Sequence, residues 1–290
     1  MNSPTRHTHS WSDLMARFAQ EVGETQYRSG ALCFADADGP PIVAELLDDG
    51  NALGLTVDLQ HAPDPSKLET FLAANRIENA QDTGLYGYSP ADNALLFFRR
   101  LEDAGQYTYE DWVQEIQAFE QAAKAALQAL PDALAFAAPP PQDEWADNAE
   151  SFRHVWSDFA FAQGLGSELP QTTADGSFIL SLEGIWHVFV RPDNGRGRVT
   201  LKMGVTLVPL VKEDEPAVWS ALMHAHTLGQ GTGGAFFAID AEAHELVLWR
   251  SLPMGGLDGY GLNDAIDGLA RVARYYADEL KLNTFVPEVA

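Results

Sequence analysis

The chain has 290 residues, 46% hydrophobic and 10% aromatic, which supplies a packed core and excludes a disordered polyelectrolyte. Against 18 basic residues stand 42 acidic ones, a formal net charge of −24, so the clustered Lys and Arg that nucleic acid and anionic lipid require are missing. Both halves share this acidity: residues 1–147 hold 8 basic and 24 acidic side chains, residues 148–290 hold 10 and 18.

Met1 to Ser10 is polar and has no apolar stretch of the signal-peptide kind, and no window reaches the length of a membrane span. Residues 1–10 read as a flexible tail. The first helix is written by Trp11, Leu14, Met15, Phe18, Ala19 and Val22, an i, i+3, i+4, i+7 stripe that Gly23 ends. Three β-patterned runs follow at Ala31–Asp36, Ile42–Leu47 and Ala52–Leu59, separated by the turns Asp38-Gly39-Pro40-Pro41 and Asp48-Asp49-Gly50-Asn51. Cys33 lies in the first of them and is expected to be a small buried hydrophobe. As the one cysteine it forms no internal disulfide, which fits a reducing compartment such as the cytoplasm. A helix over Pro65–Asn75 comes next, then strands Leu85–Tyr88 and Ala94–Leu101, then a long amphipathic helix from Thr108 to Leu130. Leu130 to Asp147, with Pro131 and Pro139-Pro140-Pro141, reads as a stiff acidic linker.

Beyond the linker the same order returns. A helix over Asn148–Gln163 carries Phe152, Val155, Trp156 and Phe159. Strands follow at Phe178–Leu182, Ile185–Arg191 and Val199–Val208, then a helix over Pro216–His226. Two more strands, Ala235–Ile239 and Glu245–Leu252, precede a last helix over Asn263–Leu280. The sequence therefore predicts an α+β chain of two tandem α-β-β-β-α-β-β-α domains, residues 11–130 and 148–282, each an antiparallel sheet flanked by helices. Residues 283–290 form a C-terminal tail. Short identities such as Phe18-Ala19-Gln20 and Phe161-Ala162-Gln163 align the first helices at an offset of 143 residues. The apolar stripe instead aligns them at 141, pairing Leu14 with Val155 and Phe18 with Phe159. Side-chain direction on a helix follows position, so the stripe is the better guide.

No catalytic constellation is legible. His224 and His226 are two residues apart on a helix and diverge by about 200°, which sets them on different faces and not around one metal. Gly229-Gln230-Gly231-Thr232-Gly233-Gly234 has no Lys and leads into a strand, so it reads as a helix-to-strand connection and not a phosphate loop. Asp36-Ala37-Asp38-Gly39 begins like a calcium loop, but the twelfth position holds Leu47 where Glu is needed. There is no nucleophile elbow. Neither a cofactor nor a metal is expected. What stands out is aromatic surface on the first helix of each half. Phe161 lies about 200° around the helix from Phe159, so the two cannot face one core.

The run from Thr232-Gly233-Gly234-Ala235-Phe236-Phe237-Ala238-Ile239-Asp240 through Glu245-Leu246-Val247-Leu248-Trp249-Arg250-Ser251-Leu252-Pro253, with a helix after Leu257-Asp258, resembles the C-terminal signature of class I type III secretion chaperones of the CesT (Tir chaperone) kind. The resemblance covers residues 148–282 and, more weakly, 11–130. It implies an ATP-independent cytoplasmic protein, not an enzyme, that binds an extended N-terminal segment of a secreted effector in apolar grooves. The tandem then replaces a homodimer by an intramolecular pseudo-dimer, expected to pair through the middle helices and the long third strands. Trp11, Leu14, Phe18, Phe152, Trp156 and Phe159 are the expected partner-binding residues. Two other readings stay open: a regulatory or scaffold protein that sequesters a regulator with the same fold, and an enzyme with a pocket between the repeats.

Overall fold

A computed structural model describes residues 10–23, 26–28, 30–35, 39–59, 64, 67–75, 84–129, 145–165, 178–182, 186–193, 200–209, 216–240 and 245–279. In the first half α1 (Trp11–Val22) is followed by β1 (Gln26–Arg28), β2 (Ala31–Phe34), β3 (Ile42–Leu47) and β4 (Ala52–Asp58). Then come α2 (Leu68–Ala74), β5 (Leu85–Ser89), β6 (Ala94–Glu102) and α3 (Tyr109–Ala129). The second half runs α4 (Trp145–Ala162), β7 (Phe178–Leu182), β8 (Trp186–Asp193), β9 (Thr200–Pro209), α5 (Pro216–His226), β10 (Phe236–Asp240), β11 (Glu245–Pro253) and α6 (Gly259–Glu279). Residues 145–147, expected in the linker, belong to α4; the rest of the expected linker and both expected tails, save Ser10, lie outside the described residues.

The two sheets have one topology. The first is ordered β1-β2-β3-β4-β6-β5, the second β7-β8-β9-β11-β10, and every pairing is antiparallel. The first sheet differs only by β1, a short strand absent from the sequence-based expectation because Gln-Tyr-Arg carries no alternating pattern.

Alternation along the strands sorts the two faces. Leu53, Leu55 and Val57 of β4 and Leu95, Phe97 and Leu101 of β6 are buried in the main core, to which α1 and α3 contribute Trp11, Leu14, Phe18, Trp112, Ile116 and Phe119. Arg99 shares that face and makes a buried ion pair with Glu115 of α3 at 2.8 Å. In the second half Met203, Val205, Leu207, Leu246 and Leu248 join Phe152, Trp156, Phe159, Ile266 and Leu269 in the same way. The helices start and stop by local chemistry. Ser10 and Asp13 close a capping box on α1, and Thr108 and Asp111 do the same for α3. Gly164, at φ 66°, ends α4 with Gly164 N–H on the Phe161 carbonyl and Leu165 N–H on that of Ala160.

Contacts between the halves are reciprocal. Helix α2 packs on β10, α5 packs on β5, and α2 and α5 pack on each other. The third strands do not meet edge to edge, because β4 lies between β3 and β6 and β9 between β8 and β11. Instead β4 brings a face to the junction, with Ala52 in the cluster described next and Gly54 beneath Leu228 of the second half. A second apolar cluster forms on the opposite sheet faces, where Leu47, Ala52, Leu85 and Phe98 meet Leu228, Phe236, Ala238, Val247 and Trp249.

Candidate functional site

The six residues expected to bind a partner are all buried. Trp11, Leu14, Phe18, Phe152, Trp156 and Phe159 are 0–9% exposed and sit in the main core. Phe18 packs edge-on against Trp112 with ring centroids 5.1 Å apart, and Trp156 lies 5.4 Å from Phe159. Their i, i+3, i+4 spacing is what a helix needs to lie on a sheet, and here the sheet takes all of it. In this arrangement they have no surface to give a partner. The buried positions of α1 and α4 coincide at the 141-residue offset: Trp11 with Phe152, Leu14 with Val155, Met15 with Trp156, Phe18 with Phe159. Phe161, which the Phe-Ala-Gln identity would equate with Phe18, is 89% exposed.

Among the described residues the junction between the halves carries a dense set of buried polar contacts. Asn75, at the end of α2, is buried; its Nδ2 donates to the Tyr86 carbonyl at 2.9 Å while Tyr86 N–H donates to its Oδ1 at 2.7 Å. His226, at the end of α5, occupies the equivalent place eleven residues before Phe237, whose N–H donates to His226 Nδ1 at 3.0 Å. Nε2 then carries the proton and donates across the junction to the Tyr86 carbonyl at 2.9 Å. Burial pushes His226 down to about 4, so the imidazole is neutral at physiological pH. Each middle helix thus ends by satisfying the open edge of the strand that follows it.

The segment after α5 completes the junction. Thr227 Oγ1 accepts from Tyr88 N–H at 3.2 Å, and Arg100 donates to the Leu228 carbonyl at 3.0 Å while pairing with Glu102 and Asp48. A side chain at Gly87 would meet Thr227 Oγ1 at 2.5 Å, and one at Gly54 would meet Leu228 Cδ2 at 2.9 Å, so two glycines clear the sheet for this segment. Leu228 itself sits at φ 55°, a left-handed conformation costly for a branched side chain. The glycine-rich run is therefore a structural wedge of one half against the other. His224 is exposed, with Nδ1 3.3 Å from the Tyr88 carbonyl.

Among the described residues no group of three metal-ligating side chains occurs and no helix is long and apolar enough to cross a membrane. Residues 36–38 of the calcium-like turn are outside the described set. Cys33 is corrected from buried to exposed: in β2 Leu32 takes the inward position and its neighbour faces out. Among the described residues the largest exposed apolar side chains are Phe161, Tyr260 at 74%, Tyr275 and Leu165 in the second half, with Val22 and Val43 in the first. Phe161 was legible from the helical wheel. Tyr260 was missed because the last helix begins four residues before the expected Asn263.

Residues 160–276 match the Tir chaperone protein (CesT) family. No curated protein matches the chain in sequence. Among solved structures, the Yersinia pestis type III secretion chaperone SycH, in complex with a stable fragment of YscM2, is 19% identical, covering 43% of this chain and 98% of that one at a TM-score of 0.33. A chain of the ExoT–SpcS complex from Pseudomonas aeruginosa is 14% identical over 43% of this chain and 96% of its own, with a TM-score of 0.29. A chain of the HopA1–SchA chaperone–effector complex is 13% identical over 44% and 94%, with a TM-score of 0.36.

Proposed function

With residues 160–276 belonging to the Tir chaperone protein (CesT) family, we propose that this chain is a type III secretion chaperone-like protein. It works in the cytoplasm without ATP, holds an extended N-terminal segment of a secreted effector and carries out no chemistry of its own. The family match is the observation that carries this reading. The reciprocal packing of α2 on β10 and α5 on β5 supports a further step, that the two halves form an intramolecular pseudo-dimer. A symmetric homodimer has two identical binding surfaces, whereas a fused pair can let them diverge.

The geometry also limits how a client is held. Strand addition needs an edge with free N–H and C=O groups. The edge of β5 is occupied by Asn75, His226 and Thr227, and Phe237 of β10 gives its N–H to His226. The strands at the outer ends of the sheets are β1 and β7. An extended segment adds there.

The test is purification of the tagged full chain from cells expressing the secretion system, with bound proteins identified by mass spectrometry. One or a few secreted proteins should be enriched, and deleting their N-terminal segments should abolish binding. Recovery of no secreted protein, together with a small molecule that shifts the melting temperature, would overturn the reading.

A further inference from the structure

The second half exposes large aromatic side chains where the first half has polar ones. Phe161 is 89% exposed, and the α1 position equivalent to it at the 141-residue offset is Gln20. Tyr260 is 74% exposed, and the buried stripes of α3 and α6 coincide at an offset of 150, Trp112 with Leu262 and Ile116 with Ile266, which sets Glu110 opposite Tyr260. The two aromatics share one surface. A side chain at Gly259 would fall on the backbone of Asp158 and Phe159, and one turn further on Gln163 Nε2 donates to Asn263 Oδ1 at 2.6 Å. The helices therefore run side by side in the same direction, with Phe161 and Tyr260 at one level on the solvent side. Asp158, three residues before Phe161, lies against Gly259, the chain neighbour of Tyr260. In the first half Arg17 and Glu110 occupy the corresponding places and approach within 3.9 Å.

Single exposed aromatics need no explanation, but two at one level on adjacent helices make a local apolar surface. Its rim is acidic: Asp158, Asp258 and Asp264 are all exposed, and Asp264 is one turn beyond Tyr260 on the same face. Leu165, 51% exposed, extends the apolar part past the end of α4. We propose that this face of α4 and α6 docks a segment of another polypeptide that carries apolar side chains next to Lys or Arg. The proposal rests on the chaperone reading and adds to it a location and a client chemistry. Charge complementarity selects the occupant. An acidic segment would meet like charge at the rim and a net charge of −24 behind it. The polar equivalents in the first half make the two halves unequal binders.

Fluorescence anisotropy with the full chain and three labelled synthetic peptides of equal length tests this. One peptide alternates Leu with Lys, one Leu with Glu, one Ser with Lys. The Leu–Lys peptide should bind, with the other two weaker by about tenfold or more. The double variant Phe161→Gln, Tyr260→Gln should weaken the Leu–Lys peptide about tenfold with its melting temperature unchanged. Val22→Gln, an exposed change in the first half, should leave binding intact. Asp158→Asn should flatten its salt dependence. Equal binding by the double variant and the unaltered chain would overturn the surface while leaving the client-binding reading in place. Leu–Glu binding as tight as Leu–Lys would overturn the client chemistry. No binding of any peptide by the folded, unaltered chain would overturn the client-binding reading and the surface together.

Discussion

His226 stays neutral because it is fully buried, and because a second ring proton would point at the Phe237 N–H and leave two donors facing each other. Its folded value near 4 lies below the ordinary 6.5. The unfolded chain therefore binds more protons than the folded one between those values, and stability falls as pH drops through that window. The full contribution is present above about pH 6.5 and is lost by about pH 4, a change of about 3 kcal/mol. Denaturant unfolding from pH 7.5 to 4 should show this loss in the unaltered chain, over and above the carboxylate background measured with His226→Asn. Parallel pH profiles for the two proteins would remove His226 from the account. The Arg99–Glu115 pair is a second buried commitment, and its partners are worth more together than apart. Glu115→Ala should cost about 3–5 kcal/mol by leaving a guanidinium without its carboxylate, while Arg99→Met with Glu115→Leu should cost far less. Equilibrium unfolding of the three proteins checks it.

At the scale of elements, α1 and α4 show how a helix uses its faces. The stripe at positions 11, 14, 15 and 18 and that at 152, 155, 156 and 159 go to the sheets, and the opposite face goes to solvent. Phe159→Ala should therefore cost about 3–5 kcal/mol of stability. Phe161→Ala, two residues on, should stay within about 0.5 kcal/mol. Comparable losses at both positions in thermal melts would refute the observed rotation of α4. The segment 227–232 is held by shape, since it comes down on the bare backbones of Gly54 and Gly87. Gly87→Val would drive a side chain into Thr227 and should destabilise by about 1–3 kcal/mol. Its α5 and β10 amides should lose hydrogen-exchange protection before those of α1 and α3.

Across the whole molecule the buried apolar residues of both halves form one contiguous cluster, with a second one across the junction. Two halves joined in this way share one cooperative unit. Calorimetry should show a single transition, and light scattering should return the mass of one chain, 31.7 kDa. Two separated transitions, or a mass of two chains at micromolar concentration, would contradict the pseudo-dimer. The acidity belongs to this scale as well, because net charge governs which partners approach and not which fold forms.

What the sequence determined by itself is the alternation and the order of the elements. Most strands and helices were legible within a few residues, because period-2 and period-3.6 apolar patterns are local properties of the chain. The 141-residue offset of the first helices was legible for the same reason. The missing strand β1 is three residues with no pattern to read. Tertiary structure alone decided which apolar stripes are core and which are surface. Trp11, Phe18, Phe152 and Phe159 have the spacing of a docking face, and only the presence of a sheet beneath them makes that face a core. It also decided Cys33, whose run is apolar but whose side of the sheet is open. The junction of Asn75, Tyr86, His226 and Phe237 lay beyond sequence reasoning for a geometric reason. Asn75 and His226 are 151 residues apart, and nothing local to either indicates that one strand's carbonyl will receive both.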